Sequence, residues 1–139
     1  MPHCGICMNS KCKLVTMALS YKLHENILFI TCDCCFTRKD AIECFKNALT
    51  DRFYKKGTPV LIDSTHCEII LPFKAVKAIL EFLGKQSGQF AHRFSFVEQN
   101  LAPYRLGRTF SVFAKDYGLE CKSFHKYEDA REWLLQPTS

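Results

Sequence analysis

The first regular pattern in the chain is an alternation of apolar and polar residues. Residues 19–23 (LSYKL) alternate in the way that a strand with one exposed face does. A more continuously apolar segment, residues 27–31, follows after the polar residues His24, Glu25 and Asn26. Two strand-like segments with so short a polar connection predict an antiparallel hairpin.

After the hairpin, the hydrophobic period changes to that of an amphipathic helix. Thr37 and Asp40 have the spacing of an N-cap and an acidic third helical residue. Apolar residues then recur at intervals of three and four as far as residue 49. They are Ala41, Ile42, Phe45, Ala48 and Leu49. The pattern predicts a helix that ends before Gly57.

Strand-like and helical segments alternate through the rest of the chain. Strands are predicted at residues 59–63, 93–97 and 119–124. A helix starts near Pro72, apolar residues from Leu106 to Tyr117 mark the next helix, and a last helix carries Tyr127. The predicted order is β-β-α-β-α-β-α-β-α, which implies right-handed crossovers. We expect a single α/β domain with a mixed, mostly parallel five-stranded sheet and about four helices. This domain covers residues 18–136 and follows an N-terminal cysteine-containing arm, residues 1–17.

Composition fits one ordinary folded domain. The chain has 139 residues, of which 47% are hydrophobic and 24% charged, so wholesale disorder is excluded. The longest apolar run, residues 27–30, is far shorter than the roughly 20 residues that a membrane-spanning helix needs. The net charge of +5 is mild and the basic residues are spread out, unlike the concentrated patch of nucleic-acid-binding domains. We therefore predict no membrane span and no nucleic-acid partner.

Nine cysteines are the unusual feature of the composition. An odd number cannot all pair within the chain, and the first residues do not resemble a secretory leader. We therefore expect a reduced, cytoplasmic protein in which most of the cysteines act as small buried apolar residues.

Thiols near the N-terminus suggest one metal hypothesis. Cys4 and Cys7 have the two-residue spacer with which two sulfurs chelate one zinc ion, and Cys12 is a third candidate ligand. The segment TCDCC could complete the site, although Cys32 and Cys35 would lie on opposite faces of a strand. The alternative is an unstructured arm. A redox role for CGIC is disfavoured because no helix follows it, and no cofactor is predicted.

Polar residues at the end of the third predicted strand form a weak candidate binding site. Asp63, Ser64 and His66 lie where open α/β sheets bind ligands. A serine hydrolase would need a nucleophile on a sharp turn, usually within G-x-S-x-G, and that motif is absent. Turn chemistry, in which Asp and Ser bond to nearby backbone, is the favoured interpretation. No catalytic residue is predicted.

Three further candidates follow the fourth predicted strand. Asn100 could cap the next helix, while Arg105 and Arg108 lie near its first turns and could contact an anion or an acidic partner. A solvated helix face is the alternative for both arginines. The chain contains no glycine-rich phosphate-binding loop.

In its C-terminal half, the sequence LGRTFSVFAKDYGLECKSF is followed by YEDAREWL. With the opening hairpin and PVLID, this pattern resembles the small bacterial STAS/SpoIIAA-like domains over residues 18–135, and in particular the stand-alone STAS/SEC14-like members. The resemblance implies a SpoIIAA-like fold and a non-enzymatic module that binds proteins or, in some relatives, an apolar or nucleotide-like ligand. Regulatory members are phosphorylated on a serine at the start of the helix after the third strand. Here Leu71 and Pro72 stand near that position, without a hydroxyl group.

The sequence thus predicts a protein-binding or regulatory module of STAS/SpoIIAA-like type without the phosphorylatable serine. One alternative is a carrier of a small apolar or lipid-like ligand held between the sheet and the helices. A second is a zinc-binding protein that uses the N-terminal cysteines, and a third is an enzyme that uses Asp63, Ser64 or His66. Neither the partner nor the presence of a homodimer follows from the residues.

Overall fold

The elements of the fold are seen in a computed structural model that describes residues 6–7, 19–34, 36–67, 69–86, 88–99 and 105–137. The strands are β1 (Ile6–Cys7), β2 (Leu19–His24), β3 (Ile27–Cys34), β4 (Thr58–Cys67), β5 (Ile69–Ile70), β6 (Phe90–Val97) and β7 (Glu120–Phe124). The helices are α1 (Arg38–Leu49), α2 (Phe73–Lys85), α3 (Leu106–Ala114) and α4 (Tyr127–Leu135), with a 3₁₀ turn, Lys115–Tyr117, directly after α3.

The main sheet of the described chain has five strands in the order β2-β3-β4-β6-β7. β2 and β3 are antiparallel, and the other neighbours are parallel. The hairpin turns at Glu25 and Asn26, whose φ angles are 51° and 63°. Positive φ at both turn residues matches the right-handed twist of the flanking strands. The predicted fold class and element order are confirmed.

Helices α1, α2 and α3 cover one face of the sheet, and α4 packs on the other. Alternate residues of each strand point to opposite faces. On β3, Leu28 and Ile30 therefore join the core beneath α1–α3, whereas Ile27 packs with Trp133 of α4. Helix α4 follows the last strand in the sequence. It packs mainly against β4, β6 and β7.

The predicted start of α1 is confirmed in detail. The backbone N–H of Asp40 donates to Thr37 Oγ1 at 3.1 Å, and the backbone N–H of Thr37 donates to Asp40 Oδ2 at 2.9 Å. These reciprocal bonds satisfy two backbone N–H groups for which the helix has no internal partner.

β4 is longer than predicted, because the strand continues past Asp63 through a bulge. Thr31 of β3 pairs with Asp63, whereas Asp33 pairs with His66, so β4 carries one extra residue. Asp63 Oδ1 accepts hydrogen bonds from the backbone N–H and the hydroxyl of Thr65, at 3.0 and 2.7 Å. Asp63 thus stabilises the bulge instead of ending the strand.

A second, two-stranded ladder was not predicted. β1 pairs antiparallel with β5, with Ile6 opposite Ile70 and Cys7 opposite Ile69. Two residues are too few to show a hydrophobic period, so the sequence carries no signal for this pairing.

The expected burial of cysteines holds for Cys32, Cys44 and Cys67. Among the described helices, none has both the length and the apolar character to cross a bilayer.

Candidate functional site

The polar residues predicted at the end of β4 do not converge on one point. Ser64 is completely buried, and its hydroxyl lies 3.2 Å from both the Val97 carbonyl oxygen and Glu98 Oε2. His66 is exposed, and Asp63 is bonded to Thr65. The buried Ser64 hydroxyl bonds to Glu98 and not to the exposed His66, so Ser64 is not placed to act as a nucleophile activated by His66.

Ser64 instead belongs to a buried cluster around Glu98, which has no exposed surface. Glu98 Oε2 accepts hydrogen bonds from the Ser64 hydroxyl and the Gly107 backbone N–H, both at 3.2 Å, and Oε1 accepts from the Ser123 hydroxyl at 3.1 Å. The backbone N–H of Glu98 donates to the carbonyl oxygen of Phe124 at 2.9 Å. One carboxylate therefore joins the ends of β4, β6 and β7 to the start of α3.

Gly107 fits this cluster because it has no side chain. A Cβ atom at this position would lie 2.2 Å from Ser123 Oγ and 2.8 Å from both Glu98 Oε1 and Phe96 Cβ. Gly107 is the second residue of α3, where a backbone N–H has no partner within the helix. Glu98 supplies that partner, and its negative charge is favourable at a helix N-terminus.

Sequence reasoning missed the role of Glu98 and assigned the cap of α3 to Asn100. Asn100 lies outside the described residues, and the N-cap position of α3 is Arg105, which makes no side-chain cap bond. The available signal was an acid directly after the apolar strand β6, followed by a glycine at the start of the next helix. Neither feature by itself specifies a contact.

The two candidate arginines have different surroundings. Arg105 Nη2 donates to the carbonyl oxygen of Cys67 at 2.6 Å and so ties the start of α3 to the end of β4. Arg108, one turn further along, is exposed and forms no ion pair with any described residue. Arg105 is therefore engaged within the fold, whereas the Arg108 guanidinium is available to a partner.

Exposed apolar side chains meet where α2 lies beside α3. Phe73 and Val112 are each 64% exposed. The ring of Phe73 packs edge-on against the ring of Phe113, with 5.4 Å between centroids. Lys77 Nζ lies 5.0 Å from the centroid of Phe113, in cation–π geometry. We call the surface formed by Phe73, Lys77, Arg108, Val112 and Phe113 the α2–α3 surface.

The charges of the α2–α3 surface have one sign. Lys77 follows Phe73 by four residues on α2, and Val112 follows Arg108 by four on α3, so each helix presents one cation and one apolar side chain on the same face. Neither helix has an acidic residue in its first turn. Two exposed cations, Lys77 and Arg108, therefore accompany the apolar side chains of this surface.

A small cavity lies in the core between the sheet and α1–α3. Its volume is about 30 Å³, and side chains such as Ile30, Leu80, Phe94 and Phe110 line it. Such a volume holds on the order of two water molecules. A lipid-like ligand would fit there only if the helices moved away from the sheet.

The structure leaves the zinc hypothesis without further support. No group of three His, Cys, Asp or Glu side chains among the described residues could hold a metal ion. Cys4 and Cys12 lie outside the described residues, and Cys7 is described only as part of the backbone of β1. A hydrogen bond with Cys67, together with burial, raises the pKa of Cys32 well above its usual value. Cys32 is therefore held as a neutral thiol, which is a poor nucleophile.

Comparisons with known proteins agree with this architecture. No family model and no curated protein matches the sequence. The chain is similar in structure to an uncharacterized protein from the DUF3478 family, with a SpoIIAA-like fold, from Shewanella loihica PV-4. The TM-score is 0.53, the sequences are 21% identical, and the match covers 84% of this chain and 92% of that one. Together with the strand order and the connections, this similarity confirms that the chain has a STAS/SpoIIAA-like fold.

Proposed function

We propose that this protein is a non-enzymatic protein-binding module of STAS/SpoIIAA-like type, and that its partner docks on the α2–α3 surface. The observation that carries this function is the contact between Phe73 and Phe113 across two neighbouring helices, beside the exposed Val112. Single exposed apolar residues are ordinary, whereas a contiguous apolar group with a polar border is typical of an interaction site.

The partner surface is acidic. Lys77 Nζ lies 5.0 Å from the centroid of the Phe113 ring, Arg108 is exposed one turn before Val112, and the whole chain carries a net charge of +5. Complementary charge would accelerate association and make it sensitive to salt.

Three features support a non-catalytic role. The hydroxyl of Ser64 is buried against Glu98, the imidazole of His66 is exposed, and the thiol of Cys32 is held neutral. These groups do not form a set with a nucleophile beside its base. The buried thiols also suit the reduced cytoplasm, where we propose that the protein acts.

Binding does not depend on phosphorylation at the start of α2. Pro72 occupies the N-cap position, between Leu71 and Phe73, and none of the three carries a hydroxyl group. The partner therefore recognises the apolar and basic side chains of the α2–α3 surface themselves, and phosphorylation of residues 71–73 does not regulate its binding.

A photo-crosslinking amino acid at position 73, compared with one at position 53, tests the docking surface. Phe53 is 67% exposed, close to the value for Phe73, but it follows α1 and lies outside the α2–α3 surface. We expect a defined protein adduct from position 73 and none from position 53. The affinity of the purified partner should fall at least about tenfold in Phe73→Ala and in Arg108→Glu, and stay unchanged in Phe53→Ala.

Three results would refute this function. Equal adducts from both positions would show that exposure alone causes capture. Partner affinity that is the same in Phe73→Ala and wild type would exclude the α2–α3 surface. Saturable turnover of a small substrate by the purified protein would contradict a non-enzymatic role.

A further inference from the structure

A hollow of about 320 Å³ lies on the opposite side of the sheet from the α2–α3 surface, between the β2–β3 hairpin and the start of α4. Its lining includes Lys22, Phe29, Thr31, Leu61, Asp63 and Tyr127. This volume is at the lower end of the range for small-molecule sites, which combine apolar walls with a few polar groups.

The hollow exists because α4 covers only part of this face. Among the described elements, α4 packs mainly on β4, β6 and β7, and on the hairpin side it reaches Ile27 and Phe29 of β3. The hairpin turn is tied to the helix, since Arg131 Nη2 lies 3.1 Å from Glu25 Oε2. Glu25 Oε1 in turn lies 2.9 Å from His24 Nε2. These contacts fix the hairpin and α4 as the two walls.

Aromatic rings form the apolar part of the hollow. The ring of Phe29 stacks on that of Tyr127, with 5.8 Å between centroids and 16° between planes. Tyr127 is still 39% exposed, and Phe29 is half-buried. Beside them, Leu61 gives a buried apolar floor. A flat aromatic group of a ligand could pack against these rings and cover them.

Two opposite charges, those of Lys22 and Asp63, lie on either side of the aromatic rings. In the strand register, Lys22 of β2 is opposite Phe29, and Asp63 of β4 is opposite Thr31. Since β3 lies between β2 and β4 and the two pairs are two residues apart along it, the Cα atoms of Lys22 and Asp63 are about 12 Å apart. Lys22 forms no ion pair with any described residue. Asp63 uses Oδ1 for Thr65, which leaves Oδ2 without a hydrogen bond from the described residues.

We propose that this hollow is a binding site for a small aromatic zwitterion. The acidic group of the ligand meets the Lys22 ammonium, its ring lies on Phe29 and Tyr127, and its ammonium group at the opposite end meets Asp63 Oδ2. Such a ligand would satisfy both unpaired charges and cover the open aromatic surface. The protein would then respond to a small molecule on one face of the sheet while a partner binds on the other.

Calorimetric titration with 4-(aminomethyl)benzoate tests this site, because the probe has opposite charges at the two ends of one ring. 4-Methylbenzoate and benzylamine each keep the ring and only one charge. We expect a Kd of about 1 mM or tighter for the zwitterion and at least about tenfold weaker binding for each single-charge probe. Backbone amide shifts in NMR spectra should concentrate at Phe29, Thr31 and Tyr127.

Substitutions identify the groups that bind the probe. Lys22→Ala and Asp63→Asn should each weaken binding of the zwitterion about tenfold. Asn at position 63 keeps the oxygen that accepts hydrogen bonds from Thr65. If Asp63→Asn nevertheless disturbs the bulge, the affinity of Lys22→Ala decides whether the zwitterion binds in the hollow. Lys122→Ala is the matched control. Through Ser95 and Leu61, Lys122 lies in the same cross-strand row as Lys22 but at the other edge of the sheet.

The site is refuted if no heat or amide shift appears at about 10 mM probe. Equal affinity for all three probes would contradict recognition of two charges. Amide shifts confined to residues outside the hollow would show that the zwitterion binds elsewhere. The same affinity for the zwitterion in Lys22→Ala and wild type would show this too.

Discussion

The backbone N–H of Gly107 donates a hydrogen bond to Glu98 Oε2 at 3.2 Å, and this contact attaches the first turn of α3 to the end of β6. In the proposed binding mode the orientation of α3 matters, because Arg108 and Val112 of the α2–α3 surface both belong to this helix. A fully buried carboxylate thus positions an exposed surface. The protein partner would never touch Glu98, and yet its binding would depend on it.

Gly107→Ala should destabilise the protein strongly. The added methyl group would lie 2.2 Å from Ser123 Oγ and 2.8 Å from Phe96 Cβ, so α3 must move away from the sheet. We expect the free energy of unfolding to fall by about 2–3 kcal/mol, in the range of overpacked cores. Urea denaturation followed by circular dichroism measures this loss.

Arg108→Ala is the control for Gly107→Ala, because it changes an exposed residue of the same helical turn. Its effect on stability should stay within about 0.5 kcal/mol. If alanine at position 107 cost as little as alanine at position 108, the close contact between α3 and Glu98 would be wrong.

Substitution of Glu98 tests the buried cluster itself. Glu98→Gln replaces one acceptor oxygen with an NH₂ group, which can donate to the Ser123 hydroxyl while the amide oxygen still accepts from Ser64 and Gly107. We expect a loss of about 1 kcal/mol in the free energy of unfolding, because neutral hydrogen bonds replace those made to a carboxylate. Glu98→Ala should cost at least as much, because it leaves a cavity as well.

A double-mutant cycle separates the Ser64–Glu98 hydrogen bond from the other contacts of Glu98. Ser64→Ala should cost about 1 kcal/mol in the wild-type background and less in the Glu98→Ala background, where the Val97 carbonyl oxygen is the acceptor that is left. A coupling energy near zero would mean that the two side chains do not interact in solution.

Several elements could be predicted because they depend on local chemistry. Thr37 and Asp40 are three residues apart, and both partners of the capping box are therefore visible in the sequence. The turn at Glu25 and Asn26 lies between two strand patterns of suitable length. Gly118 ends the helical segment with φ of 75°, as a glycine after a helix often does.

The candidate site was harder to predict because its contacts are remote in sequence. Ser64 and Glu98 are 34 residues apart, and Glu98 and Ser123 are 25 apart. Strand register decides whether such residues meet. The register of β4 depends on a bulge at Asp63 that no hydrophobic pattern reveals. The α2–α3 surface could not be predicted for a similar reason. In the sequence, Phe73 and Phe113 are ordinary apolar helix residues, and their contact exists only because the two helices lie side by side.

Thr37→Ala should weaken α1 by removing its N-cap. The variant loses the hydroxyl that accepts from the Asp40 N–H, and we expect the free energy of unfolding to fall by about 1 kcal/mol. Thr50→Ala is the matched control, because Thr50 occupies the exposed C-cap position of the same helix. Thermal unfolding of both variants checks the difference. Equal midpoints for the two variants would contradict the capping box.

Alkaline pH should destabilise the protein because its buried thiols stay protonated in the folded state. The thiols should act at a lower pH than the tyrosines. Burial raises the pKa of Cys44 to about 11 and, with a smaller effect from Glu120, that of Cys121 to about 12. Burial also raises the pKa of Tyr54 to about 12. In the unfolded chain, the thiols lose their protons near pH 8.5 and the tyrosines near pH 10. Above pH 8.5, the unfolded state therefore binds fewer protons than the folded state, and stability falls as the pH rises.

Urea midpoints measured in steps from pH 7 to about pH 10.5, with a reductant present, distinguish the two classes of group. We expect a constant midpoint below about pH 8 and a steady fall above it, in which the thiols dominate until about pH 10. The variant with both Cys44→Ala and Cys121→Ala is less stable at pH 7 because two buried side chains are shortened. Its midpoint should nevertheless decline less steeply between pH 8.5 and 10, because fewer thiols distinguish the two states. Identical slopes in this variant and the wild type would show that these thiols do not control the alkaline transition.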